Sequence, residues 1–298
     1  MKKLMVAVCA VAALVAVAEE NKAAEREAPK AVLEKEDPPL FWGFANYGIY
    51  SGYQLYGSIV NTEPTLQGYG ELNTNLRWDD TDLGCFGFGL WNNSDLTGKR
   101  NAEYRRAFNE FDFNLHWQRT FWLDDDNTVG LTYRTFVVWY YYPWTGDRPR
   151  TKTTFDWDHY LELTNPYLTP YVCWVHEYAQ TYGNLIQFGV KKPFQITDDL
   201  SVCPFVEFVW RDHRYGWCFS NYGCRADGGA VGEGLATMKL ELDATYQITS
   251  WLSVFAKVAY CQNIQGELRD ACDEITYGAA YGRYNEFVWG GAGLCISF

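Results

Sequence analysis

From position 40 onward, polar and apolar residues alternate along most of the chain. The segment 112–118 alternates without an exception, and the segments 72–78 and 239–246 do the same. Successive side chains of a β-strand face opposite sides, so this period predicts strands with one apolar and one polar face. We predict about twelve strands, at 40–50, 65–78, 83–91, 108–122, 128–142, 154–164, 170–179, 184–195, 200–211, 234–247, 252–261 and 284–298.

The connections between these strands are sorted by length. Every second connection is short: 79–82, 124–127, 165–169, 196–199 and 248–251. The others are mostly long, at 51–64, 92–107, 143–153, 212–233 and 262–283, and the link near 181–183 is the short exception. A soluble sandwich also alternates but has no reason to sort its loops. The pattern predicts an all-β fold, a closed antiparallel transmembrane β-barrel with short periplasmic turns and long external loops.

The first 39 residues differ from the rest. Residues 1–18 have the features of a cleaved secretory signal peptide: Lys2 and Lys3, an apolar stretch, and an Ala-Val-Ala site at 16–18. Residues 19–39 are rich in Ala, Glu and Lys and predict a charged, flexible periplasmic linker, with a small plug or partner-binding helix as the alternative. The barrel is then residues 40–298.

Composition agrees with a membrane barrel. Aromatic residues make up 18% of the chain, and Trp and Tyr are the residues that favour the boundary between lipid and water. The formal net charge of -12 disfavours binding to nucleic acid.

If the apolar face contacts lipid, the polar face lines the lumen. The pore-lining candidates are Glu71, Arg77, Asp112, Arg134, Asp158, Glu162, Lys191, Glu207, Arg211, Lys239, Glu241 and Lys257. Arg134 is expected beside the strands of Asp112 and Asp158, and Lys191 near the strand of Glu207. These charges either pair and fill the interior or create a field that selects solutes by charge.

The long loops carry aromatic residues and cysteines. Candidates for binding at the cell surface are Tyr215, Trp217, Phe219, Tyr222, Tyr277 and Tyr281. Bridges Cys218–Cys224 and Cys261–Cys272 would close two short loops, although pairing between the loops is equally compatible with the sequence. Four further cysteines, Cys85, Cys173, Cys203 and Cys295, lie near the periplasmic ends of strands, as buried thiols or as a bridge across the lower lumen.

No catalytic or metal-binding set is predicted, and no cofactor. The four histidines lack metal-ligand spacing, and His159 shares its parity with the lipid-facing residues Phe155, Trp157 and Leu161. A hydrolase built on the barrel wall would need a Ser and a His that face the same way on adjacent strands. His159 is therefore interpreted as an interface residue.

These features together resemble the Gram-negative outer-membrane β-barrel proteins. The resemblance is carried by the signal at 1–18, the alternating strands, the sorted turns and the last strand, 288–298, which ends in Phe298. It implies an outer-membrane location, lipid contacts and recognition of the C-terminal strand by the barrel-assembly machinery. The favoured function is a narrow porin for passive diffusion of small solutes. The alternatives are a plugged structural or adhesive barrel and, less favoured, a barrel-wall hydrolase.

Overall fold

The alternating segments of the chain form strands in the computed structural model. The structure describes residues 40–56, 58–61, 63–79, 81–96, 110–141, 153–179, 182–218, 232–274 and 285–298. Within them lie β1 (Phe41–Tyr50), β2 (Tyr53–Leu55), β3 (Ser58–Asn61), β4 (Thr65–Trp78), β5 (Thr81–Asp95), β6 (Glu110–Trp122), β7 (Gly130–Tyr141), β8 (Thr153–Thr164), β9 (Thr169–Glu177), β10 (Asn184–Lys191), β11 (Phe194–Gln195), β12 (Leu200–Arg211), α1 (His213–Cys218), β13 (Gly234–Gln247), β14 (Leu252–Asn263), α2 (Gly266–Glu274) and β15 (Glu286–Ser297).

The twelve long strands form one closed antiparallel sheet, which confirms the predicted fold class and strand number. Around the barrel their order is β1, β4, β5, β6, β7, β8, β9, β10, β12, β13, β14 and β15, and β15 pairs back to β1. The two-residue β11 extends the pairing of β12, and β2 and β3 form a separate hairpin. Closure leaves no free strand edge, as a sheet in a lipid bilayer requires, because an unpaired backbone group there costs several kcal/mol.

The two ends of the barrel differ, as the sorted connections predicted. The turn end carries the five short connections, and each of them uses a side chain to accept a backbone N–H. The acceptors are Asp82 for Gly84, Asp124 for Thr128 and Val129, Asn165 for Tyr167 and Leu168, Thr197 for Leu200, and Thr249 for Trp251 and Leu252. The loop end carries the longer connections. In outer-membrane barrels the short turns face the periplasm.

The outward face is apolar. Exposed large side chains there include Leu72 at 48%, Leu115 at 51% and Val258 at 49% of their full area. Water-soluble proteins rarely expose a contiguous apolar face of this extent. No helix in the described residues is long and apolar enough to cross a membrane. The closed sheet with an apolar exterior is an outer-membrane barrel.

The outward position predicted for His159 is confirmed. Its ring stacks on Trp174, with 5.2 Å between the ring centroids, and its Nδ1 lies 2.7 Å from the hydroxyl of Tyr133. The ring of Trp157 is also close, with 4.9 Å between the centroids. His159 is therefore held within an aromatic surface, with no serine among these contacts. The predicted signal peptide and linker lie outside the described residues.

Candidate functional site

The polar faces of the strands line the lumen, as the alternation predicted. Eleven of the twelve pore-lining candidates point inward, and Arg77 lies exposed at the turn-end rim, beyond a bulge at Leu76/Arg77. The inward carboxylates are Glu71, Glu110, Asp112, Asp156, Asp158, Glu162, Glu177, Glu207, Glu241 and Asp243. The inward Lys and Arg residues are Arg134, Lys191, Arg211, Lys239 and Lys257. Carboxylates thus outnumber cations among these positions.

One ion-pair network covers the wall formed by β12, β13 and β14. Nζ of Lys239 lies 3.4 Å from Glu207 and 3.5 Å from Glu241. Nζ of Lys257 lies 3.7 Å from Glu241 and 3.4 Å from Asp243. Because adjacent strands place opposite charges side by side, these lysines lie against the wall.

The predicted position of Lys191 is confirmed, and its ion-pair partner lies on another strand. It was expected near the strand of Glu207, and β10 does pair with β12. Its Nζ nevertheless lies 2.7 Å from Glu162 on β8, reaching past β9, while Glu207 is occupied by Lys239 and by the hydroxyl of Tyr171. The predicted strand adjacency is therefore confirmed, and the structure adds an ion pair that the sequence did not assign.

Arg134 also has an unexpected partner. β7 lies between the strands of Asp112 and Asp158, as predicted, yet the guanidinium of Arg134 lies 2.8 Å from Glu71 on β4. Glu71 is almost fully buried and also accepts hydrogen bonds from Tyr69 and from Asn73, the latter at 2.9 Å. Arg134 thus spans β5 and β6 to reach an acceptor that is already held in place.

Glycines make room for these long side chains. A Cβ at Gly87 of β5 would lie 2.2 Å from Asn73 and 2.3 Å from His116. Three strands away, on β15, a Cβ at Gly291 would lie 2.1 Å from the ring of Tyr50, and one at Gly293 would lie 2.7 Å from the ring of Phe255. These inward side chains therefore lie over glycines of the wall.

At the loop end, the lumen is filled. The β2–β3 hairpin bends inward, and the hydroxyl of Tyr56 lies 3.2 Å from that of Tyr140 on β7. The carbonyl of Tyr56 accepts a hydrogen bond of 2.9 Å from Thr237 on β13, nearly opposite β7 around the barrel. Tyr215 of α1 packs edge-on against Tyr56, with 6.0 Å between their centroids. We call Tyr56, Tyr140, Tyr215 and Thr237 the tyrosine plug.

An apolar cluster lies beside the tyrosine plug. It comprises Cys173, Val175, Leu185 and Val209 together with Tyr215, each at most 4% exposed. These residues come from three adjacent strands and one loop helix, so the loop-end half of the lumen has a packed core. Sequence reasoning missed the plug. The available signal was an aromatic residue at a polar-face position, Tyr140, one residue out of phase with the lipid-facing Trp139.

Several predictions about the loops need correction. Tyr215 was a candidate for surface binding, but it is 1% exposed and faces the interior. Cys261 has a free, fully buried thiol, so the structure does not form the predicted Cys261–Cys272 bridge; its inward position on β14 places it beside Trp289. The structure does not describe the other loop candidates, either as whole residues or in their side chains: Trp217, Cys218, Phe219, Tyr222, Cys224, Cys272, Tyr277 and Tyr281.

The remaining cysteines, Cys85, Cys173, Cys203 and Cys295, are free thiols. Within the described part of the chain, no group of His, Cys, Asp and Glu side chains can hold a metal ion. The thiols of Cys85 and Cys173 are buried in the wall.

Comparisons with known proteins find solved structures that are similar to the chain at low sequence identity. No protein-family model matches the chain, and no curated protein matches its sequence. An outer membrane channel from Pseudomonas putida F1 is similar with a TM-score of 0.47 and 10% identity, over 92% of this chain and 100% of that one. The NanC porin gives 0.45 and 11%, over 86% and 98%. The outer membrane phospholipase A of Escherichia coli also gives 0.45 and 11%, over 86% and 92%. At such identities, the likeness concerns the barrel fold and not an activity.

Proposed function

We propose that this barrel is a narrow outer-membrane channel for the passive diffusion of small solutes, with its restriction at the tyrosine plug. The observation that carries the proposal is the access of water to paired charges on the inner wall. The side chains of Lys191, Lys257 and Arg134 are 37%, 26% and 25% exposed, and that of Asp243 is 35% exposed, although all four face the lumen. A lumen packed by salt bridges would bury them.

The lumen then has two parts with different roles. In the turn-end half, ion-paired side chains lie along the wall and leave water in contact with them. In the loop-end half, Tyr56 and Tyr215 close the bore. The hairpin is not part of the closed sheet, so it can move without breaking the barrel wall, and the plug is the element that decides whether solutes pass.

The excess of inward carboxylates gives the expected selectivity. A lumen with more carboxylates than cations attracts positive ions and raises their local concentration. We therefore expect cations and neutral solutes to pass more readily than anions.

Single-channel conductance of the refolded protein in a planar bilayer, across a salt gradient, tests the proposal. We expect discrete steps and a reversal potential that indicates cation preference. Tyr56→Ala should raise the conductance by removing the ring that bridges the lumen, whereas Tyr167→Ala, at an exposed turn-end position, should leave it unchanged.

The absence of conductance steps in both the folded wild-type protein and the folded Tyr56→Ala variant would contradict the proposal. It would favour the second candidate, a structural or adhesive barrel. The specific observation in favour of that candidate is the packed apolar cluster around Tyr215, which is the interior expected of a plugged barrel.

A further inference from the structure

Three inward aspartates near the tyrosine plug are buried in the described part of the chain, each with an oxygen that lacks a hydrogen-bond partner. Asp112 is 9% exposed, Asp156 is 2% exposed and Asp158 is 3% exposed. In each, Oδ1 has no hydrogen-bond partner. We call these three residues the acid triplet. They differ from the paired carboxylates of the turn-end half, such as Glu162 and Glu241, which contact lysines.

A buried carboxylate needs either a proton or a positive partner, because removing its charge from water costs several kcal/mol. The nearby cations whose ion pairs are established are turned elsewhere. Arg134 is diagonal to Asp158 across β7 and β8 but binds Glu71, and Lys191 binds Glu162. The triplet therefore has neither Arg134 nor Lys191 as its counter-charge.

The spacing of the triplet excludes one compact ligand. Asp156 and Asp158 alternate on β8, whereas Asp112 lies two strands away on β6, opposite Tyr140 of β7. Asp112 is level with Thr154 of β8, so Asp156 and Asp158 are offset from it by two and four residues. With strands about 4.8 Å apart and about 3.4 Å per residue, Asp112 is about 12 Å from Asp156 and about 17 Å from Asp158 along the wall. In agreement, no group of three acidic or similar side chains in the described chain can hold a metal ion. A fitting ligand carries separated positive charges.

Aromatic rings complete the surroundings. The hydroxyl of Tyr140 hydrogen-bonds to Asp156 and lies against that of Tyr56, and Asp156 and Asp158 are close enough to Tyr56 to interact electrostatically with it. Tyrosine faces attract organic ammonium groups, and carboxylates accept their N–H donors. The combination suits an amine better than a hydrated inorganic ion.

We propose that the acid triplet and the rings of Tyr56 and Tyr140 form a binding subsite for a small diamine or polyamine. A role of the subsite in transport rests on the proposed channel function, but binding of the amine itself does not require an open pore. The amine would displace Tyr56 from Tyr140 and donate N–H groups to the three free Oδ1 atoms. The site then selects solutes by the number and spacing of their ammonium groups.

Isothermal titration of the refolded full-length protein in detergent with spermidine tests the subsite. We expect saturable binding, and Asp158→Asn or Asp112→Asn should each raise the dissociation constant about tenfold, as for loss of one charged hydrogen bond. Asp243→Asn removes the same charge from a lumen carboxylate that is already paired with Lys257, and should change the constant less than twofold. Circular dichroism and heat-dependent gel mobility verify that each variant is folded.

Three results would overturn the inference. They are the absence of spermidine binding to the folded wild type, equal weakening by Asp243→Asn, and calcium or butylamine binding as tightly as spermidine. Both Asn variants are near-isosteric, so a folding failure in one leaves the other to decide. Conductance reports separately on the channel: binding in a silent barrel would preserve the subsite and reject the channel, and conduction without binding would do the reverse.

Discussion

The geometry of the ion pair between Arg134 and Glu71 allows us to predict how much the free energy of unfolding falls when Arg134 is replaced. The Glu71 side chain is 4% exposed and that of Arg134 is 25% exposed, with 2.8 Å between their charged atoms. Removing one partner of a buried pair costs about 3–5 kcal/mol. Because Glu71 keeps its hydrogen bonds from Tyr69 and Asn73, and because Arg134 is partly hydrated, we expect Arg134→Ala to cost about 2–3 kcal/mol.

A double-mutant cycle separates the pair from the other contacts of each residue. Urea unfolding of the refolded barrel in lipid vesicles, followed by tryptophan fluorescence, gives the free energies for Arg134→Ala, Glu71→Gln and the double variant. We expect a coupling energy of about 1–2 kcal/mol. The single Arg134→Ala variant should also show stronger cation preference in the bilayer, because the lumen loses a positive charge.

A coupling energy within about 0.3 kcal/mol of zero would refute the argument that these two residues depend on one another. An unchanged reversal potential would separately show that Arg134 does not lie in the conduction path.

Three further predictions concern packing, turns and thiols. Gly87→Ala should destabilise the barrel by about 1–3 kcal/mol, because the added methyl group meets Asn73 and His116, whereas Gly70→Ala, with its nearest atom 3.7 Å away, should not; urea titration compares them. The pKa of Asp124 is lowered, first by its hydrogen bond from the Thr128 hydroxyl, so its stabilising effect should be present at neutral pH and lost as the pH falls through that lowered value. Asp124→Asn should remove this acid dependence of unfolding, and a variant that keeps it would show that another group is responsible. Cys261 should react with maleimide only after unfolding, without prior reduction; a requirement for a reductant would indicate a bridge.

The strands and turns could be predicted because each depends on a local pattern. Inward Lys257 and outward Val258 follow from alternation alone, and Asp124 and Asn165 are residues whose side chains accept backbone N–H groups in turns. The same parity places Cys261 inward with Lys257, and it therefore contained the evidence against the predicted bridge to Cys272. The candidate lumen residues could be found because alternation assigns each position of a strand to the lumen or to the lipid.

The partners of the lumen residues could not be predicted in the same way. Arg134 reaches Glu71 across two intervening strands, which depends on the length of its side chain. The inward fold of the Tyr56 hairpin and the burial of Tyr215 depend on contacts between loops and opposite walls. No short sequence window contains that information.

The glycines beneath Tyr50 and Phe255 have a consequence for how the barrel closes. They lie where the first and last strands meet: Tyr50 is paired with Gly291, and Gly48 with Gly293. A slip of one residue would turn every apolar side chain away from the lipid, but a slip of two preserves both faces, so alternation alone cannot prevent it. Such a slip would place the ring of Tyr50 opposite Trp289 or Gly293, and that of Phe255 over a neighbour of Gly48 that carries a side chain. The fit of these two rings over these glycines therefore specifies one register between the first and the last strand.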